Sequence, residues 1–193
     1  MNNPIRFIDP DGMMVDEYEL NKKTGELKNV APSENDVVYA VTQNDDGTTQ
    51  RTGDKVEFEG KPITGTKVTG TSEEGKPMQL ISVSNTTDGN ALFDFAKEQT
   101  GSNQEWSICD YNLKNENSKS LITTSGTEGA DEVGSMNIRR IANITGSTIS
   151  RADHNHPDSP TSEWSSGGDR EVRDVVLKNN SKASVNIHFK VGN

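Results

Sequence analysis

RADHNHPDSPTSEWSSGGDREV, residues 151–172, holds two of the three histidines in a chain of 193 residues. His154 and His156 are one residue apart, so on an extended strand both rings project to the same side. Pro157 cannot continue a strand ladder and ends it. Gly167 and Gly168 let the backbone turn sharply, after which Asp169 falls in the first turn of a helix. Two imidazole nitrogens and one carboxylate oxygen make a three-ligand zinc site with the fourth position free for water, as in a catalytic rather than a structural metal centre. Zinc held in that way brings the pKa of its water toward neutrality.

The bulk composition narrows the partners. Thirty acidic and 20 basic side chains give a formal net charge of −10. That argues against a broad electrostatic grip on nucleic acid, although a small basic patch stays compatible with it. No apolar run approaches the length needed to span a bilayer. The N-terminal MNNPIRFIDPDGMM lacks the basic-then-apolar layout of a signal peptide, so a soluble protein is expected, with any export using a route other than a cleaved leader. Hydrophobic residues are 29% and aromatics 5%, low for a fully packed globule. Polar residues dominate the first 88 positions, so the better core is expected in the second half. The single cysteine, Cys109, excludes an internal disulfide and a cysteine-only metal site; within EWSICDY it reads as a small buried strand residue.

Along the chain, residues 1–13 read as an extended, turn-rich tail, with DPDG at 9–12. Residues 14–88 read as β-rich. DEYELNKKTGELKNV suggests a hairpin around KKTG, NDVVYAVTQNDDGTTQ a β-branched run before an Asp-Gly turn, KVEFEGKPITGTKVTG further alternation, and MQLISVSN a last strand. No catalytic cluster is visible there. The character changes at DGNALFDFAKEQTG, where Asp88 or Asn90 can cap a helix that ends at Thr100-Gly101. EWSICDYNL then reads as a strand and KSLITTSG as its antiparallel neighbour. SMNIRRIANITG reads as a helix with Met136, Ile138, Ile141, Ala142 and Ile144 on one apolar side. STISRADHNHP is a strand running into a loop, GGDREVRDVVLKNN a third helix and ASVNIHFKV a terminal strand. The second half, residues 89–193, is thus an α+β or α/β sandwich large enough for its own core.

The pattern H-N-H-P, eight residues, then S-x-x-D resembles the JAMM (JAB/MPN-type) zinc metallopeptidases, and the HNHP spelling is most similar to their RadC branch. The resemblance covers about residues 89–190. It implies a cytidine-deaminase-like α/β/α sandwich in which His154, His156 and Asp169 hold Zn2+. It also implies an acid–base glutamate on an earlier strand. Glu105 fits, opening the strand after the first helix, with Gly126-Thr127 as the Gly-Thr pair that RadC-like proteins carry after the following hairpin. Glu105 would accept a proton from water and deliver it to the leaving amine. Ser166 would donate a hydrogen bond to the oxyanion on the scissile carbonyl. The interval from proline to serine is longer than the family's by about a residue, which leaves Ser165 as a rival; the S-x-x-D spacing favours Ser166. Glu128 and Glu132 are alternative acid–base groups in an acidic loop. Asp153 is expected as a surface carboxylate or as a group orienting an imidazole. Asp158 and Glu163 read as flanking surface carboxylates, His188 as a solvent-facing ring, and Trp164 as a groove or loop-covering aromatic.

At the other end, Pro4 through Met13, P-x4-D-P-x-G-M, resembles the end of the RHS-repeat core of polymorphic toxins. The resemblance implies self-cleavage at the Met13–Met14 bond and a variable effector downstream. Together the two ends are similar to a secreted bacterial effector of the JAB-like toxin type. They imply a zinc-dependent peptidase or isopeptidase acting on a protein in the target-cell cytoplasm, a cognate immunity protein, and an RHS shell in the precursor. Residues 14–88 would be a toxin-specific extension. Two other functions stay open: a metal enzyme acting on nucleic acid, which the charge disfavours, and a non-catalytic binding module on the same fold.

Overall fold

The computed structural model describes residues 16–114, 116–127, 132–156 and 167–189. The proposed cleavage junction at Met13–Met14, and Glu128, Asp158, Glu163, Trp164, Ser165 and Ser166, lie outside the described residues. Within them the chain is a mixed α+β protein with two sheets and three α-helices.

The first sheet contains β1 (Asp16–Asn21), β2 (Leu27–Pro32), β3 (Val37–Gln43) and β4 (Thr49–Glu57), in the order β2-β1-β3-β4. The hairpin expected around KKTG forms because Asn21 Oδ1 accepts the N–H groups of Lys23 and Thr24, and Gly25 takes φ +70°. Chain reversal between β3 and β4 uses Asp46, whose carboxylate accepts from the Thr48 N–H and hydroxyl. The β1–β3 pairing is parallel.

The second sheet adds β5 (Ile63–Thr71), β6 (Pro77–Val83), β7 (Trp106–Asn112), β8 (Lys119–Thr124), β9 (Thr148–His156) and β10 (Ser184–Phe189). Its order is β10-β9-β7-β8-β6-β5, antiparallel throughout except for the parallel pair β9–β10. β5 and β6 precede residue 88 yet belong to the same sheet as β7–β10, so the sheet runs across that position.

Helix α1 (Thr86–Thr100) starts earlier than either expected cap. Asn85 is the N-cap: it is extended at φ −145° and ψ 161°, and its side chain accepts the Asp88 N–H at 2.9 Å. Asp88 instead sits in the first turn, where its carboxylate accepts from the Asn85 side-chain Nδ2 and steadies the cap. Gly101, at φ +56°, closes the helix as expected.

Helix α2 (Glu132–Ala142) buries Val133, Gly134, Ile138 and Ile141. Met136 and Ile144, expected on that face, are 45% and 46% exposed. At about 100° per residue Met136 points away from the stripe that Val133, Ile138 and Ile141 share, and Ile144 lies past the helix end. Helix α3 (Gly167–Asn179) packs on β9 and on α2.

Adjacent strand residues face opposite ways, and the two cores show it. Ile108 joins Leu92, Phe93, Trp106, Ile81 and Ile122 in one cluster, on the α1 side. Cys109 joins Ile138, Ile141, Ile149, Ala152 and Val176 in the other, on the α2–α3 side. Cys109 is buried as expected, and burial pushes its thiol pKa up. The first cluster also takes in Tyr18, Leu20, Leu27, Val38, Ala40 and Phe58. The first 88 residues therefore supply much of the larger core, more than their polar composition suggested. The apolar residues there are few, but strand alternation concentrates them on one face.

Candidate metal centre

β9 delivers both histidines to the α2–α3 side of the sheet, as their spacing requires. The Nε2 atoms of His154 and His156 stand 2.9 Å apart. Asp169, in the first turn of α3, brings Oδ1 to 3.4 Å from His154 Nε2 and Oδ2 to 3.8 Å from His156 Nε2. The partial positive charge of a helix N-terminus favours a carboxylate at that place. Glu105, just before β7, is 5% exposed. A carboxylate oxygen of Glu105 and one nitrogen from each of His154 and His156 all lie within 4.8 Å of one another. Glu105, His154 and His156 thus form the group whose single ligand atoms are mutually close, and Asp169 borders it, reaching each ring with a different oxygen.

The donor set fits a divalent ion. Tetrahedral ligands about 2.0–2.1 Å from zinc are about 3.3 Å from each other, and the spacings above bracket that edge. Burial, and then the neighbouring His154, push His156 below its usual pKa, against the opposing pull of Asp169. A neutral imidazole is what a metal requires. Glu105 is as well placed as Asp169 to reach an ion, so geometry alone leaves it as ligand or as proton carrier.

The backbone at Glu105 is well supported. Its N–H donates to the Thr127 carbonyl at 2.8 Å. Thr127 follows Gly126, whose φ of +68° and close approach to the Lys76 carbonyl leave no room for a side chain. The Gly-Thr pair therefore lies against the glutamate. Glu132, the alternative acid, is exposed at the start of α2.

Two expectations are corrected. Asp153 is 3% exposed rather than a surface group. It faces the α1 side and accepts from Arg151, from both the backbone and side chain of Asn186, and contacts His188 Nε2 at 3.2 Å. Burial alone would raise its pKa, but the hydrogen bonds from His188, Arg151 and Asn186 outweigh it and hold the carboxyl below its usual range. The ring that Asp153 orients is thus that of His188, not of a candidate ligand. His188 is correspondingly turned inward to Asp153, with its ring edge-on to Phe93 at 5.7 Å, instead of simply facing solvent. Arg151 also approaches Asp110 at 3.8 Å. Asp110 is raised above its usual pKa by burial, despite the Ser120 hydroxyl and Arg151.

Asn155, passed over in the sequence between two histidines, is also buried. It bonds to the backbone on either side of Glu105. A polar residue alternating with two candidate ligands, and so forced to the opposite face, was the available signal.

A family model described as JAB-like toxin 1 matches residues 81–183, more than half of the chain, from within β6 to the residue before β10. No curated protein and no solved structure matches it.

Proposed function

The chain belongs to the JAB-like toxin 1 family, and from that premise we propose that it is a zinc-dependent hydrolase of amide bonds, a peptidase or isopeptidase delivered to act on a protein of the target cell. The observation that carries the reading is the cluster of Glu105, His154 and His156, with the Asp169 carboxylate beside both imidazoles. In this reading His154, His156 and Asp169 hold zinc. The ion supplies Lewis-acid chemistry, acidifying water and polarising a carbonyl.

The chain's own groups do the rest. Glu105, buried beside the imidazoles, takes a proton from water as the water oxygen bonds to the carbonyl carbon, and gives it to the departing amine nitrogen as the C–N bond breaks. Ser166, assigned by its S-x-x-D spacing to Asp169, donates a hydrogen bond to the carbonyl oxygen as the carbon becomes tetrahedral. The helices on both faces of the six-stranded sheet support the three-layer α/β/α sandwich that the JAMM resemblance implies.

The context belongs to the same proposal. Residues 1–13 are the tail of an RHS core, cut at Met13–Met14. Residues 14–88 carry a toxin-specific extension, and residues 89–193 the metallohydrolase, whose sheet also takes in β5 and β6 from before residue 88. A cognate immunity protein protects the producing cell, and the RHS shell encloses the effector before release. Among the described residues no helix is long and apolar enough to cross a membrane.

Expression of the domain inside bacteria, with Glu105→Gln beside it, tests the activity. The wild-type chain is expected to be toxic and to leave cleaved peptide or isopeptide products detectable by mass spectrometry, and the variant to do neither. Nucleic-acid breakage with an intact proteome would replace the substrate class. Equal toxicity of the two chains would remove Glu105 from the reaction.

A further inference from the structure

We propose that Asn155 is the positioning residue that sets where the Glu105 carboxylate stands. The inference rests on the reading of Glu105 as proton carrier and names what holds it in place. Alternation turns Asn155 to the opposite face of β9 from the two histidines, where it is 3% exposed. Its Oδ1 accepts the Trp106 N–H at 2.6 Å and its Nδ2 donates to the Gln104 carbonyl at 3.3 Å. The partners settle the orientation of the amide, since an N–H requires the oxygen and a carbonyl requires the NH2.

These bonds pin both peptide planes that meet at Glu105. The 104–105 plane is held at its carbonyl by Asn155 and at its N–H by Thr127; the 105–106 plane is held at its N–H by Asn155. A peptide unit is rigid, so fixing both planes fixes the direction in which the Glu105 side chain leaves the backbone. The regular register of β7 on β9 ends at the pair Ser107–His154. Past that pair the Asn155 side chain takes over the work of the ladder. Its far anchor is firm as well: Gln104 is 0% exposed, with its amide between the Thr124 hydroxyl and the Lys23 carbonyl. Because Asn155 lies on the strand that carries His154 and His156, one three-residue unit fixes the imidazoles and the carboxylate relative to each other.

The test uses the full chain loaded with cobalt(II), whose visible absorption reports the surroundings of the ion. Glu105→Gln defines the band shift caused by loss of the carboxylate. Asn155→Ala is expected to bind cobalt with a loss in affinity smaller than the roughly tenfold that losing a partner of a metal-bound histidine costs. Its bands should shift in the same direction as those of Glu105→Gln, and adding Asn155→Ala to Glu105→Gln should shift them no further. Asn155→Asp keeps the acceptor for Trp106 and loses the donor to Gln104, so an intermediate shift is expected. This isosteric variant carries the test if the alanine variant does not fold.

An Asn155→Ala spectrum that superimposes on wild type, or shifts that simply add in the double variant, would overturn the proposal. Failure of the wild-type chain to bind cobalt, or unchanged bands in Glu105→Gln, would instead remove the metal and proton-carrier reading beneath it, and the proposal with it.

Discussion

Gln79 holds the backbone of Leu27 with both ends of its amide, Oε1 accepting the Leu27 N–H at 2.9 Å and Nε2 donating to the Leu27 carbonyl at 2.6 Å. It is 1% exposed. A side chain on β6 thus serves β2 as one more strand would, joining the four-stranded sheet to the six-stranded one. Replacement by methionine, similar in shape, leaves both Leu27 groups buried without partners. Each costs about 1–3 kcal/mol. Urea denaturation of Gln79→Met should show a loss in that range or above; unchanged stability would mean that water reaches Leu27.

Gly25 makes the second link. It has φ +70°, and a Cβ there would stand 2.9 Å from Gln104 Cγ. Gln104 is buried and cannot swing aside. Gly25→Ala therefore combines a left-handed backbone with a clash, and about 1–3 kcal/mol of destabilisation is expected from the backbone alone. Thermal unfolding checks it. Gly47, with φ +84° and nothing within 4 Å, is the control that separates the two causes.

Asp153 makes stability depend on pH. Its folded pKa lies below the usual value, so its contribution is complete above the unfolded value of about 4 and is lost as pH falls through the folded one. Wild type should lose more stability than Asp153→Asn as the pH is lowered from about 4. Asp110, raised mainly by burial, acts in the opposite sense, and Asp153→Asn eases that rise because the Asp153 charge contributes to it. Parallel pH profiles of the urea midpoint would contradict the assignment.

Glu105 and Asp169 should separate as proton carrier and ligand. Glu105→Gln is expected to retain zinc, whereas Asp169→Ala should lower zinc affinity by at least about tenfold. Isothermal titration with zinc distinguishes them, and the reverse result would exchange the two roles.

The same-side placement of His154 and His156 was legible in the sequence. That α3 brings Asp169 to the rings depends on its packing against β9, but strand alternation puts His154 and His156 on one side, and Asp169 falls in the first turn of a helix, both by local rules. Hairpins with Asp-Gly or Thr-Gly reversals were readable for the same reason. Asn85 was passed over as a cap because Asp88 and Asn90, equally suitable residue types, stood nearer the apolar run. Asp153 looked like a surface group because its burial depends on β10 pairing beside β9 and bringing Asn186 and His188 to it. Membership of β5 and β6 in the second sheet is likewise a property of long-range pairing, through β6 on β8. Alternation alone put Asn155 on the opposite face, but its bonds on either side of Glu105 follow from β7 lying beside β9.

Zinc content of the native protein decides whether the histidine pair holds a metal. Chain purified without chelators and measured by plasma mass spectrometry should carry about one zinc ion per molecule, the stoichiometry of a single three-ligand site. The combined His154→Ala and His156→Ala variant should fold, by circular dichroism, and carry none. A folded wild-type chain without affinity for zinc would contradict the claim and leave a binding module in its place.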